Sequence, residues 1–133
     1  MRSRTLSMEI TVPPATVYRC VRDPHQLPLW AAGICKAVTV IDGVWHVDTG
    51  TEIGTVRLAF CPDNAFGVLD HTVTLTSGHS QVVPMRVIAN GEGSELIFTV
   101  FQTEGMSDEA FIKDIQAVTR DLKTIKTLLE ATA

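Results

Sequence analysis

No run of apolar residues in this 133-residue chain approaches the roughly 18 that a bilayer-spanning helix needs, so membrane insertion is not expected. Dense clusters of Lys or Arg are also missing. With 11 basic residues against 15 acidic ones and a formal net charge of −4, the chain lacks the electrostatic footprint of a nucleic-acid or anionic-membrane binder. Cysteine is sparse: Cys20, Cys35 and Cys61 form an odd, scattered set, which predicts free thiols and a cytoplasmic location. These cysteines stand at no metal-ligand spacing from one another or from His25, His46 and His79, so neither a metal nor a cofactor is expected. Met1–Thr5 contains two arginines but has no apolar core behind it and no cleavage-site pattern, unlike a signal peptide. The glycine-rich Asn90-Gly91-Glu92-Gly93 lies between two strand patterns rather than before a helix, which makes it a hairpin turn and not a phosphate cradle. No Ser or Cys stands in a recognisable nucleophile setting. Aromatic residues are scarce as well, at 6%, and this bears on how completely a core can be filled.

What is present fits one domain, residues 1–133, with 45% apolar residues available for a core. The clearest element is at the C-terminal end. Phe111, Ile115, Val118, Leu122, Ile125 and Leu129 recur at alternating four- and three-residue steps, which predicts an amphipathic helix from Ser107 to Ala131, roughly 36 Å long. Ser107 is placed to cap its first amides, and Asp108 and Glu109 sit where the helix dipole favours negative charge. Lys113, Gln116, Arg120, Lys123 and Lys126 occupy the opposite face.

Ahead of it the pattern is strand-rich. Leu6, Met8, Ile10 and Val12 alternate with polar residues as a first strand does, and Pro13-Pro14 and Asp23-Pro24 open two short helices within residues 14–32. Six further strands are predicted at Ala37–Ile41, Val44–Thr49, Thr51–Phe60, Gly67–Leu75, Gln81–Ala89 and Ser94–Gln102, joined by turn signals such as Asp42-Gly43 and Asn90-Gly91. A turn centred on Gly78 sets His71 opposite Met85, the Asn90–Gly93 turn sets Met85 opposite Phe98 and Val87 opposite Leu96, and a compatible register sets Leu58 opposite His71. The expected row under the helix is therefore Leu58, His71, Met85 and Phe98. On the outer face Arg57, Asp70, Arg86 and Glu95 alternate in charge, as a register-fixing ladder or an ion network would.

A magnitude then argues for a cavity. Seven strands about 4.8 Å apart make a sheet close to 30 Å wide, whereas a helix with its side chains is about 10–12 Å across. The sheet must curl around the helix, and a chain poor in aromatics leaves space where they meet.

This layout, together with Asp23-Pro24 through Leu29-Trp30, Gly67-Val68-Leu69-Asp70-His71 and Pro84-Met85-Arg86-Val87, resembles the START-like (SRPBCC) superfamily in its polyketide cyclase/dehydrase-like branch. The resemblance implies an α+β helix-grip fold, in which a seven-stranded curved antiparallel sheet wraps around a long C-terminal helix, with two short helices after the first strand and a hydrophobic cavity inside. It settles no activity, because the superfamily spans carriers, cyclases and oxygenase domains.

The leading expectation is a binding module for a small hydrophobic or aromatic molecule, lined by Trp30, Leu58, His71, Met85, Phe98, Phe111, Ile115, Val118 and Leu122. A second is a polyketide cyclase or dehydratase with His71 as acid or base; the same histidine could instead be structural, bonded to a backbone carbonyl. A third is an interaction domain without a ligand that forms a homodimer.

Overall fold

The computed structural model describes residues 1–132. The elements run β1 (Ser3–Ile10), α1 (Pro14–Val21), α2 (Leu27–Trp30), β2 (Ala37–Ile41), β3 (Val44–Asp48), β4 (Thr55–Phe60), β5 (His71–Thr74), β6 (Ser80–Val83), β7 (Met85–Asn90), β8 (Gly93–Phe101) and α3 (Asp108–Ala131). The long helix begins as its sequence requires: Ser107 Oγ accepts from the Ala110 amide, and Asp108 and Glu109 fill the first turn. The second short helix is smaller than expected. Asp23 closes an Asx turn on the His25 amide at 2.9 Å, and helical geometry resumes only at Leu27.

The strands are all antiparallel but form eight rather than seven, in two sets ordered β1-β8-β7 and β2-β3-β4-β5-β6. Pro84 is the reason. It has no amide hydrogen to give a ladder, so the expected strand Gln81–Ala89 splits into β6, which pairs with β5, and β7, which pairs with β8. The expected strand Gly67–Leu75 divides at the same point. Its first part runs along β7 through Leu69 N–H to Met85 O and Val87 N–H to Gly67 O, and the bridge Val68↔Arg86 continues the register of His71↔Val83. The two sets are thus joined through a break.

Met85↔Phe98 and Val87↔Leu96 pair as the turn at Asn90–Gly93 requires. The expected row across the sheet is corrected elsewhere: His71 faces Val83 and Phe60, and Leu58 faces Val73. Leu75 N–H bonds His79 O, which centres the hairpin on Ser77 instead of Gly78. The slip is two residues, so every inward side chain stays inward. The strand expected from Thr51 begins only at Thr55, because Thr49 Oγ1 donates to Gly54 O and closes a turn between Gly50 and Gly54, both at positive φ. Of the outer charges, Asp70 and Arg86 do meet, whereas Arg57 pairs with Thr74 and takes no part.

Helix α3 packs on β1, β8 and α2. Its C-terminal half is tied down by Lys126 Nζ donating to Glu9 O at 2.7 Å and by Glu130 accepting from the amide and hydroxyl of Thr11. The helix therefore leans on the three-stranded set and stands off from the five-stranded one.

Candidate functional site

The stand-off encloses a cavity of about 330 Å³. Its floor is Leu58 and Phe60 of β4, His71 and Val73 of β5, Met85 of β7, and Phe98 and Val100 of β8; Leu27 and Trp30 of α2 close one end, and Ala117, Val118 and Leu122 of α3 form the roof. The helix stripe records the space above it. Phe111, Leu122, Ile125 and Leu129 are buried, but Ile115 and Val118 in mid-helix are only half-buried. The rim is apolar although it meets water: Ile34 is 51% and Val82 56% exposed. Thr99, Val100 and Phe101 line the cavity together with Val82 and Val83. The last ladder bond on that side is Thr99 N–H to Pro84 O, 3.1 Å, and β6 pairs only with β5, so the split at Pro84 opens into the cavity.

Among the candidate residues, Trp30, Leu58, His71, Met85, Phe98, Val118 and Leu122 come together around this space. Phe111 does not. It is buried nearer the helix start, beneath the Arg2 guanidinium, 5.1 Å from the ring centroid. Ile115 also lies off the cavity wall. Residues outside the candidate set are Leu27, Phe60, Val73, Val100, Ala117, the rim side chains and, most consequentially, Asp114 and Asp121 of α3. A signal for the last two existed, since they stand seven apart and each directly precedes a stripe residue, Ile115 and Leu122, which puts both on the edge of the inward face.

His71 is held in one state by its neighbours. The register would send the Met85 amide to Leu69 O, but Asp70 Oδ1 captures that amide at 2.9 Å, and Leu69 O instead accepts from His71 Nδ1 at 3.0 Å. A carbonyl only accepts, so Nδ1 carries the proton and Nε2 keeps its lone pair, with no protein partner for it among the described residues. Phe60 and Phe98 flank the ring at centroid distances of 4.9 and 6.4 Å. Burial pushes the His71 pKa down, against smaller opposing effects from the Leu69 hydrogen bond and the Asp70 charge, so the imidazole is neutral at pH 7. Asp70 itself is held below the usual carboxylate range by Arg86, whose Nε and Nη2 reach it at 3.1 and 2.9 Å.

Three further polar groups belong to residues that line the space, although the Trp30 indole nitrogen is itself sealed from it. Trp30 is only 8% exposed, and its indole N–H has no hydrogen-bond partner. The Asp121 carboxyl is pushed up to about 6 by burial, and Asp114, more open at the mouth, is raised in the same direction for the same reason. Cys20, Cys35 and Cys61 are free, and no cluster of His, Cys, Asp and Glu suited to a metal occurs among the described residues. No helix there is long and apolar enough to cross a membrane.

No protein-family profile matches the sequence, and no curated protein matches it. Solved structures do match. Ara h 8.0201 is 19% identical over 98% of both chains with a TM-score of 0.75. Protein MLL2253 from Mesorhizobium loti is 14% identical over 99% of both chains with a TM-score of 0.77. DynU16, a protein of the dynemicin biosynthetic locus, is 15% identical over 96% of this chain and 47% of its own, with a TM-score of 0.72. At these identities the likeness is one of fold, and the fold is the helix-grip expected from the resemblance to START-like proteins.

Proposed function

We propose that the chain binds a small hydrophobic or aromatic molecule in the cavity between α3 and the sheet. One observation carries this reading: an apolar cavity lies between α3 and the sheet, walled by side chains from β4, β5, β7, β8, α2 and α3. His71 Nε2 supplies an acceptor in the same space, and the apolar rim offers entry to a molecule with an aromatic or aliphatic body. The volume of about 330 Å³ lies within the usual range of ligand sites.

Titration with the fluorophore N-phenyl-1-naphthylamine tests the proposal. Saturable enhancement is expected, with Met85→Trp, which places an indole inside the cavity, reducing affinity at least about tenfold while the thermal transition survives. Affinity unchanged by Met85→Trp would remove the cavity from the explanation. A second reading, catalysis by His71 as acid or base, is favoured by the neutral imidazole whose free nitrogen faces the same space. Under it His71→Ala abolishes turnover of a polyketide-like substrate while fluorophore binding stays within a few-fold.

A further inference from the structure

We infer that the occupant of the cavity is an arylalkylamine whose protonated nitrogen is balanced by Asp121. The inference rests on the binding reading above and concerns the charge of what is bound. The ionisable side chains at the cavity are His71, His79, Asp114 and Asp121; no Lys or Arg lines it. Asp121 is half-buried beside Leu122 on the roof and takes part in no ion pair or hydrogen bond among the described residues. The nearest cation along the helix, Arg120, is exposed.

A half-buried carboxylate without a paired counter-ion is costly, and the exposed Arg120 beside it offsets that cost only in part. An ammonium group would offset the rest. Its N–H donors suit the Asp121 carboxylate and the neutral His71 Nε2, and the Phe98 ring lines the same space, whereas the Phe60 ring is already covered by the Arg22 guanidinium, 5.4 Å from its centroid. The independent sign that something fills the space is the buried His71, which lines it with Nε2 left without a protein partner among the described residues. A carboxylate or sulfonate ligand would meet two like charges and no compensating cation.

The experiment is calorimetric titration with three probes that share a ring and differ in charge: 2-(1-naphthyl)ethylamine, 2-(1-naphthyl)ethanol and 1-naphthylacetate. Near neutral pH the amine is expected to bind about tenfold tighter than the alcohol, and the acetate most weakly. Asp121→Asn should reduce amine affinity about tenfold and leave the alcohol within about twofold, while Glu92→Gln, on an exposed turn, leaves all three unchanged. An amine that binds no tighter than the alcohol, or an Asp121→Asn effect equal for both, overturns the inference and leaves the binding reading standing. If none of the three binds, the binding reading falls and this inference falls with it.

Discussion

Replacing Asp121 by Asn should stabilise the unliganded protein, and only above a definite pH. The Asp121 carboxyl ordinarily titrates near 3.8 but is raised to about 6 in the folded chain. That difference of roughly two units corresponds to about 3 kcal/mol, and solvent on the open side of the cavity reduces it to about 1–2 kcal/mol. The sign follows from linkage. A carboxyl whose folded pKa lies above its unfolded one favours the folded state fully below about pH 4, and this advantage disappears as the pH rises through about 6. Asn has no such dependence and closely copies the protonated acid in shape. In thermal melts followed by circular dichroism, the variant should match the parent near pH 4 and exceed it by about 3–8 °C near pH 7.5. His71 and Asp114 titrate in both proteins and largely cancel in the difference. An offset that is the same at both pH values, or a variant less stable near pH 7.5, would refute the account of Asp121 as a half-buried charge without a partner.

Four other substitutions test the supporting geometry. Trp30→Phe keeps an aromatic plug and removes a buried N–H that nothing accepts; urea unfolding should change by less than about 1 kcal/mol, because lost packing offsets the relieved donor, and a loss above about 3 kcal/mol would show that the indole N–H is bonded. Asp70→Ala strips the Met85 amide of its acceptor and Arg86 of its partner, so urea unfolding should report a loss of about 1.5–4 kcal/mol, and a loss below about 0.5 kcal/mol would mean that the register needs no such link. Gly67→Ala should cost at least about 3 kcal/mol or prevent folding, because Gly67 has φ +73° and an added Cβ would collide with Val87 O; Gly91→Ala, with φ +60° and open space, should cost only about 1–2 kcal/mol. Similar urea midpoints for the two glycine variants would contradict the crowding at Gly67.

The layered plan was legible because its signals repeat. The α3 stripe, its Ser107 cap and the alternation of β8 each involve several residues that agree, and Met85↔Phe98 followed from a short turn with little room to slip. Where the chain had more freedom the reading drifted. The loop around Ser77 admits two centres with the same inward faces, and alternation cannot distinguish them. Pro84 was visible as a residue but not as a break, because the apolar alternation continues on both sides of it; the missing amide matters only once a neighbouring strand is in place to need it.

The site was harder to read for a related reason. Periodicity finds what a core shares, and a binding site departs from it. Scanning α3 for apolar positions selects Phe111 and Ile115, which help seat the helix or lie beside the cavity, and passes over Asp114 and Asp121 because they are charged. Their angular position is nevertheless that of the inward edge, where a carboxylate has no structural benefit. The same applies to His71, for which the structural and functional alternatives prove compatible: Leu69 O takes one ring nitrogen and leaves the other facing the cavity. The general form of the argument is that a helix of this length could have carried uncharged residues at all its inward positions. Charge on that face costs stability, so it is the first place to look for the chemistry of a ligand.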